Sequence, residues 1–320
     1  MPTFDRSEYA KWDFGHVADG LFVPMKGRAY KKLKTDATHT RNGYTLRFIG
    51  FEPLGGFDQS VLLSLAAQTG EQRLVITPET EGAGGKQLRL ALAAKGVTED
   101  VFAGAASTSL YRVLLDAGVD PEDTRNLRAV RASLTRLANI QIVVHAPDGR
   151  QGQQNVLAYQ VAPDGTIRCA LNWRLTEAIL GDLQHARVSL VERTLLKSEI
   201  AKLLHCWLSS HVDPGKELAN GRGAHVDTLL PHVWGPEALG VSKQMLSRRR
   251  KALVAAAGAI GGLSGWRADV TGRGLVLLTR PRRLPVFRSP SHQQDEDRQL
   301  MVDIATASGR HAVAVDGVPP

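Results

Sequence analysis

Between Val241 and Ala257 the chain carries Lys243, Gln244, Ser247, Arg248 and Lys251, which at about 100° per residue fall on one side of a helix. Leu246, Leu253, Ala257, Met245 and Ala252 fall on the other, and Arg250 lies at the rim. A helix that enters the major groove of DNA needs this division: one face must anchor in a core while the other offers donors to base edges and phosphates. Arginine can bond guanine through two donors and glutamine can do the same with adenine. Taken alone, a basic helix face is more simply a solvated one. What stands around this helix in sequence argues for DNA contact instead.

An earlier stretch has the same design in weaker form. Leu127, Val130, Leu134 and Leu137 make an apolar stripe, with Thr124, Arg125, Arg128 and Thr135 outward and Arg131 at the rim. Its simpler alternative is an amphipathic structural helix. Each basic helix is followed by a hairpin pattern whose loop bears arginine: Arg150, with Gln151, in the first case, and Arg267 and Arg273 in the second. Arg280, Arg282 and Arg283 extend the second edge. Such hairpin residues can lie over backbone or minor groove, or can simply solubilise a turn.

Catalytic signatures are missing. The run EGAGGKQLRL at 81–90 lacks the glycine spacing of a phosphate loop, and Lys86 is followed by Gln87. No HExxH, GxSxG or paired-histidine metal motif occurs, and the histidines are scattered over different elements. Carboxylates such as Asp213, Asp227 and Glu237 have no sequence reason to pair. The expectation is a chain with no catalytic residue, no metal site and no cofactor.

The elements that must hold the basic helices can be read from hydrophobic period. Thr45–Gly50 reads as a strand, Phe57–Gln68 as a helix and 74–77 as a strand, while 84–92 fits either a strand or a helix start. Ser107–Ala117 reads as a helix capped by Ser107 or Thr108 and stopped at Gly118. A second helix runs from Pro121 to Ala138 behind Asp120, then IQIVVHA and VLAYQV form a strand pair across PDGRQGQQ. In the second half, Leu190–Ser210 reads as one long helix, Ala224–Val233 as a short one, and GWRADVTGRGLVLLTR as a hairpin after the basic helix. APDGTIRCALNWRLTEAIL between the halves reads as a hairpin strand and a bridging helix, which would couple them rigidly.

Helix, turn, helix and β-hairpin is the order of a winged helix-turn-helix, and it occurs twice. Shifting the sequence by 119 positions places Leu127 on Leu246, Arg131 on Arg250, Leu134 on Leu253 and Ala138 on Ala257. The fold expected is α+β and mainly helical, with two tandem winged helix-turn-helix domains at 43–165 and 166–285. A basic flexible arm at 1–42, whose KGRAYKKLK run would meet phosphate, and a disordered tail at 286–320 complete the division.

Length and composition agree with this reading. At 320 residues the chain exceeds one ordinary domain of roughly 100 to 200 residues. With 43% hydrophobic and 22% charged residues it matches a globular protein, and a net charge of +8 favours a polyanionic partner. Ala252–Leu263 is too short and too rich in glycine to span a bilayer, and the first residues lack a secretory pattern, so no membrane contact and a cytoplasmic location are expected. Cys169 and Cys206 lie in apolar surroundings without ligand spacing and read as reduced core residues.

EPLG at 52–55, GGKQLRL at 84–90, QHARVSL at 184–190, AKLLH at 201–205, DPGK at 213–216, VDTL at 226–229, VWGPEALG at 233–240 and RRRKAL at 248–253 together resemble the RepC replication initiators of IncQ-type plasmids. The resemblance covers residues 45–282, is densest from Gln184 onward, and leaves both ends unmatched. It implies a non-enzymatic protein that binds direct repeats, iterons, in a plasmid origin as double-stranded DNA and helps open the adjacent AT-rich duplex. A plasmid helicase and primase would act after it, and self-association stays open. A winged-helix transcriptional repressor is the alternative within DNA binding. A DNA-nicking relaxase or a primase is the alternative as an enzyme.

Overall fold

The structure, a computed structural model, describes residues 7–25 and 34–282. The KGRAYKKLK run before its last lysine, Arg283 and the expected tail lie outside those residues. In chain order the first half comprises β1 (Tyr9–Asp13), β2 (Thr35–Arg41), β3 (Tyr44–Gly50), α1 (Gly56–Gln72), β4 (Leu74–Ile76), α2 (Ala83–Leu92), β5 (Lys95–Gly96), β6 (Ala103–Ser109), α3 (Leu110–Ala117), α4 (Thr124–Ala138), β7 (Gln141–His145), β8 (Gln151–Asn155), β9 (Leu157–Val161), β10 (Thr166–Leu171) and α5 (Trp173–Leu180). The second comprises β11 (His185–Ser189), α6 (Leu190–Leu195), α7 (Glu199–His211), β12 (Ala224–His225), α8 (Val226–Leu229), α9 (Pro231–Trp234), α10 (Lys243–Gly261), β13 (Arg267–Val270) and β14 (Leu275–Thr279). Helix and strand thus mix throughout.

The strands form antiparallel sheets in the orders β2-β3-β7-β8-β5, β4-β6-β10-β9 and β12-β14-β13, with β1 and β11 making a two-stranded ribbon. One apolar cluster runs from Ala10 to Leu278, so both halves share a core. No helix among the described residues is long and apolar enough to cross a membrane.

α1 lies at the centre and is buried from Gly56 through Thr69 apart from a half-buried Phe57. Burial on all sides needs its polar side chains satisfied. The Asp58 carboxylate accepts the Gly55 amide at 2.7 Å and pairs with Arg136 of α4 at 2.7 Å. Ser64 and Gln68 donate to Asp116 of α3 at 2.9 and 3.2 Å. Gln72 donates to the Ser107 carbonyl and accepts its amide, both at 2.8 Å. That last pair explains why Ser107 and Thr108 stay in β6 instead of opening the helix as expected. Ser109 caps α3, accepting the Arg112 amide at 3.2 Å. Gly118 stops it at φ 72°, as the sequence predicts.

Several expectations shift. The segment 84–92, ambiguous in sequence, is helical. α4 starts at Thr124, capped by Asp123, because Asp120 and Pro121 belong to the turn before it. β7 pairs with β8, whereas VLAYQV pairs with β10 in another sheet. The long helix expected at 190–210 is broken: Leu196 is extended and buried, and a new helix begins after Ser198. The break serves Glu199, whose carboxylate accepts the amides of Gly56 at 2.7 Å and Met25 at 3.0 Å, capping α1 from the other half of the chain. Ala224 and His225 join a sheet by pairing with Val276 and Leu275, which shortens the helix expected there.

The clearest correction concerns the flexible arm at 1–42. β1 pairs with β11 from Tyr9↔Ser189 to Asp13↔His185, and Trp12 is fully buried. Buried Asp13 accepts from His16 at 2.9 Å and Arg174 at 2.9 Å; burial alone would raise its pKa, but the His16 bond and the nearby positive charges hold it below the usual range. The limits at 42/43 and 165/166 both fall within hairpins, β2–β3 and β9–β10. Alternating Ala10 and Trp12 inward is strand chemistry in too short a run to stand out among polar neighbours.

Trp12→Ala should therefore cost about 3–5 kcal/mol of stability, read as a lowered urea midpoint, whereas truncating a true arm residue would leave it unchanged. Acid should also destabilise the protein. Burial lowers the pKa of His205, His211, His39 and His185 below the ordinary histidine value. The unfolded chain thus binds more protons as pH falls through about 6.5, and stability present above that value is lost progressively below it. Urea midpoints at about pH 8 and pH 5.5 should show the decline.

Candidate nucleic-acid interface

α10 begins at Lys243 behind Ser242, whose hydroxyl accepts the Met245 amide at 3.3 Å. From Lys243 to Lys251 every residue is exposed except half-buried Leu246 and Arg249, and deep burial starts with Leu253 and continues through Ala256, Ala257 and Ile260. The first half of the helix therefore touches the body along one side, through Leu246 and Arg249, and projects its other sides into solvent, while its second half is anchored deeply. This revises the apolar face drawn from sequence: Met245 is 44% exposed, and Ala252 is half-buried. Lys243, Gln244, Ser247, Arg248 and Lys251 make no side-chain hydrogen bond or ion pair among the described residues.

Three consecutive arginines meet three environments, since each step turns the helix by about 100°. Arg248 points to solvent without a partner. Arg249 donates to the Ala238 carbonyl at 2.7 Å, with its guanidinium 5.6 Å from the Trp234 ring centre, and so fastens α10 to the turn after α9. Arg250 grips both oxygens of Asp227 at 2.6 Å, and that bond holds the Asp227 carboxyl below its usual range. Arg250 is thus a neutralised cation, not a free one.

The hairpin after α10 closes through Thr271–Gly274, with Gly274 at φ 77° donating to the Thr271 carbonyl at 2.8 Å. Arg267 and Arg273 are exposed, and their guanidinium groups have no partner. Arg282 is likewise exposed. Arg280 is not part of this edge: it is 3% exposed and donates to the carbonyls of Ser209, Val212 and Arg187. It sits at the C-terminal end of α7, where a cation meets unpaired carbonyls and the negative end of the helix dipole.

α4 and its hairpin follow the same plan with less free charge. α4 begins 119 positions before α10, in agreement with the offset between the two apolar stripes. Thr124, Arg128 and Arg131 are exposed. Arg125, however, folds back on Asp123 at 2.8 Å, and Arg150 pairs with Asp148 at 2.7 Å. Each bond lowers the pKa of its carboxylate. Thr135 donates to the Arg131 carbonyl at 3.1 Å and lies 2.9 Å from the Tyr159 hydroxyl. Of the expected residues, free cationic charge is concentrated around α10 and β13–β14.

Asp227 and Arg249 were not among the residues sequence reasoning chose. Asp227 lies 23 positions from Arg250, and no periodicity within one element links them. His205 pairs with Glu192 at 2.8 Å and His232 with Asp19 at 2.7 Å, and His211 and His232 both stack on Trp207. No group of three or more His, Cys, Asp or Glu among the described residues could hold a metal. Cys169 and Cys206 are buried, which pushes their thiols up to about 12 and about 11.

A family model described as Replication protein C (RepC) matches residues 5–282. No curated protein matches. Among solved structures, the chain is similar to domains 2 and 3 of RctB, with 11% identity and a TM-score of 0.43 over 82% of this chain and 96% of that one.

The division of labour among the arginines is testable through stability. Arg249→Ala should lose about 1.5–3 kcal/mol because it leaves a carbonyl without its charged donor, while Arg248→Ala should leave the urea midpoint unchanged.

Proposed function

The chain belongs to the RepC family of replication proteins, and on that premise we propose that it is a plasmid replication initiator that binds direct repeats in the origin as double-stranded DNA without catalysing a reaction. The observation that carries this reading is the projecting first half of α10, where Lys243, Gln244, Ser247, Arg248 and Lys251 face outward and unpartnered beside a hairpin bearing Arg267 and Arg273. Uncompensated cations on an exposed helix are suited to phosphates and base edges, and a basic hairpin beside them suits the flanking backbone.

In this reading α8, α9, α10, β13 and β14, with β12, are one winged-helix head, and α3, α4, β7 and β8 belong to a second. α10 enters the major groove. α4, with Thr124, Arg128 and Arg131 outward, takes a neighbouring groove face and contributes less affinity, because Arg125 and Arg150 already have carboxylate partners. The shared core, the β1–β11 ribbon and the Glu199 cap hold the heads in one relation. Rigid heads can impose a bend or untwist on DNA costing roughly 1 to 6 kcal/mol, offset by contacts at both ends. Opening of the adjacent AT-rich duplex, followed by helicase and primase, belongs to the same proposal.

Binding anisotropy on the origin's repeats against scrambled duplex of equal length, over a salt series, tests it. Strong preference for the repeats with a steep salt slope is expected, and equal weak binding to both would remove the initiator reading. Protection of phased direct repeats would separate it from a repressor on a palindrome. Arg248→Ala should cost about 1–3 kcal/mol of specific binding, and Lys251→Ala should lower the salt slope by about one unit. Arg250→Ala should change the slope less than Lys251→Ala, since its charge is already met by Asp227.

A further inference from the structure

We propose that His225, anchored through Asp227 to the recognition helix, is a positioning residue that holds the wing tip at a fixed height beside α10, and that Arg273 can act on DNA only while this brace is intact. The proposal rests on the DNA-binding reading above and assigns it a residue with no DNA contact of its own.

A continuous chain of bonds leads from the helix to the wing. Arg250 of α10 donates to both oxygens of Asp227 at 2.6 Å. The backbone amide of Asp227 donates to His225 Nδ1 at 3.2 Å. An imidazole nitrogen that accepts must be unprotonated, so the ring proton of neutral His225 sits on Nε2. Nε2 lies 3.2 Å from the carbonyl oxygen of Arg273, in the turn of the β13–β14 hairpin, and donates to it. One ring thus caps α8 with one nitrogen and holds the wing turn with the other.

The turn is built to accept the ring. A Cβ on Gly274 would stand 3.2 Å from Nε2, tighter than ordinary contact, and Gly274 has φ 77°, where side chains are disfavoured. The Gly274 carbonyl accepts the Val226 amide at 2.9 Å, and His225 stands opposite Leu275 in the β12–β14 pairing. On the far side the turn is held only by the hairpin's own bonds, among them the Gly274 amide to the Thr271 carbonyl at 2.8 Å and the Thr271 amide to the Leu275 carbonyl at 2.9 Å, and a Cβ on Gly272 would meet no atom within 4 Å. The Arg273 side chain is free, and among the described residues its carbonyl is bonded by His225 alone, so that bond orients the Arg273 peptide within a turn otherwise held at Gly274 and Leu275.

The experiment is a double-mutant cycle on the full chain with a random-sequence duplex, because phosphate contacts are read by any sequence. His225→Asn suits it: the Asn oxygen can still accept the Asp227 amide two residues on, but the shorter side chain cannot reach the wing. In the native background Arg273→Ala should weaken binding several-fold and lower the salt slope by about one unit. In the His225→Asn background the same change should have no effect, while Arg248→Ala should still weaken binding there. Equal losses from Arg273→Ala in both backgrounds would overturn the brace and leave the DNA-binding reading standing. Loss of every arginine effect, Arg248 included, would overturn both. Amide exchange provides a separate reading. The Val226 amide, which donates across to the Gly274 carbonyl, should exchange faster in His225→Asn while α10 keeps its protection, and unchanged exchange at that amide would count decisively against the brace.

Discussion

A helix buried on all sides must find partners for most of its polar groups, and α1 carries several, of which only the Gln59 Oε1 among the described residues is left without one. Asp58 reaches Arg136, Ser64 and Gln68 reach Asp116, Gln72 reaches Ser107, and Ser60 accepts from Arg193 at 3.0 Å. These contacts fix α4, α3, β6 and α6 to one axis, two of them elements that lead directly into or form the first basic helix. Apolar packing alone tolerates sliding, but a set of directed bonds from one helix does not. Arg193 is fully enclosed and its pKa is lowered to about 10 by burial, so it is held by hydrogen bonds to Ser60 and the Lys202 carbonyl instead of by a carboxylate.

The same accounting separates structural from available cations. Arg136, Arg174, Arg193, Arg249 and Arg280 are used inside the molecule, holding carbonyls, carboxylates or rings. Arg248, Lys243 and Lys251 are left over on a helix that projects. A net charge of +8 says little about location until these two groups are told apart.

Local signals were legible where they repeat or terminate. The helices α4 and α10 were readable from apolar stripes, and their starts were placed within three residues because acceptable caps crowd that stretch: Asp120 and Asp123 in one case, Ser242 in the other. α2 stayed ambiguous because its glycines weaken helix propensity while Leu88 and Leu92 suit either element. Illegible features join distant positions. Nothing in YAKWD reveals that Trp12 lies against a strand formed some 175 residues later, and nothing in VDTL reveals that its aspartate quiets Arg250. Arg125 reads as outward, Arg250 as a rim residue and Arg150 as a loop residue; all three are exposed, but exposed is not the same as unpaired.

The pairing of β1 with β11 has a consequence for the birth of the chain. A ribosome adds roughly 5–20 residues per second, so the partner strand at His185–Ser189 emerges some tens of seconds or less after Tyr9–Asp13 has left the exit tunnel. Throughout that interval the indole of Trp12 has no enclosure and the strand has an open edge, the kind of surface that chaperones grasp and that neighbouring chains adhere to. Completion of the first half therefore waits until His185–Ser189 has been made, and synthesis cut short before His185 would release a chain whose strand at Tyr9–Asp13 has nothing to pair with.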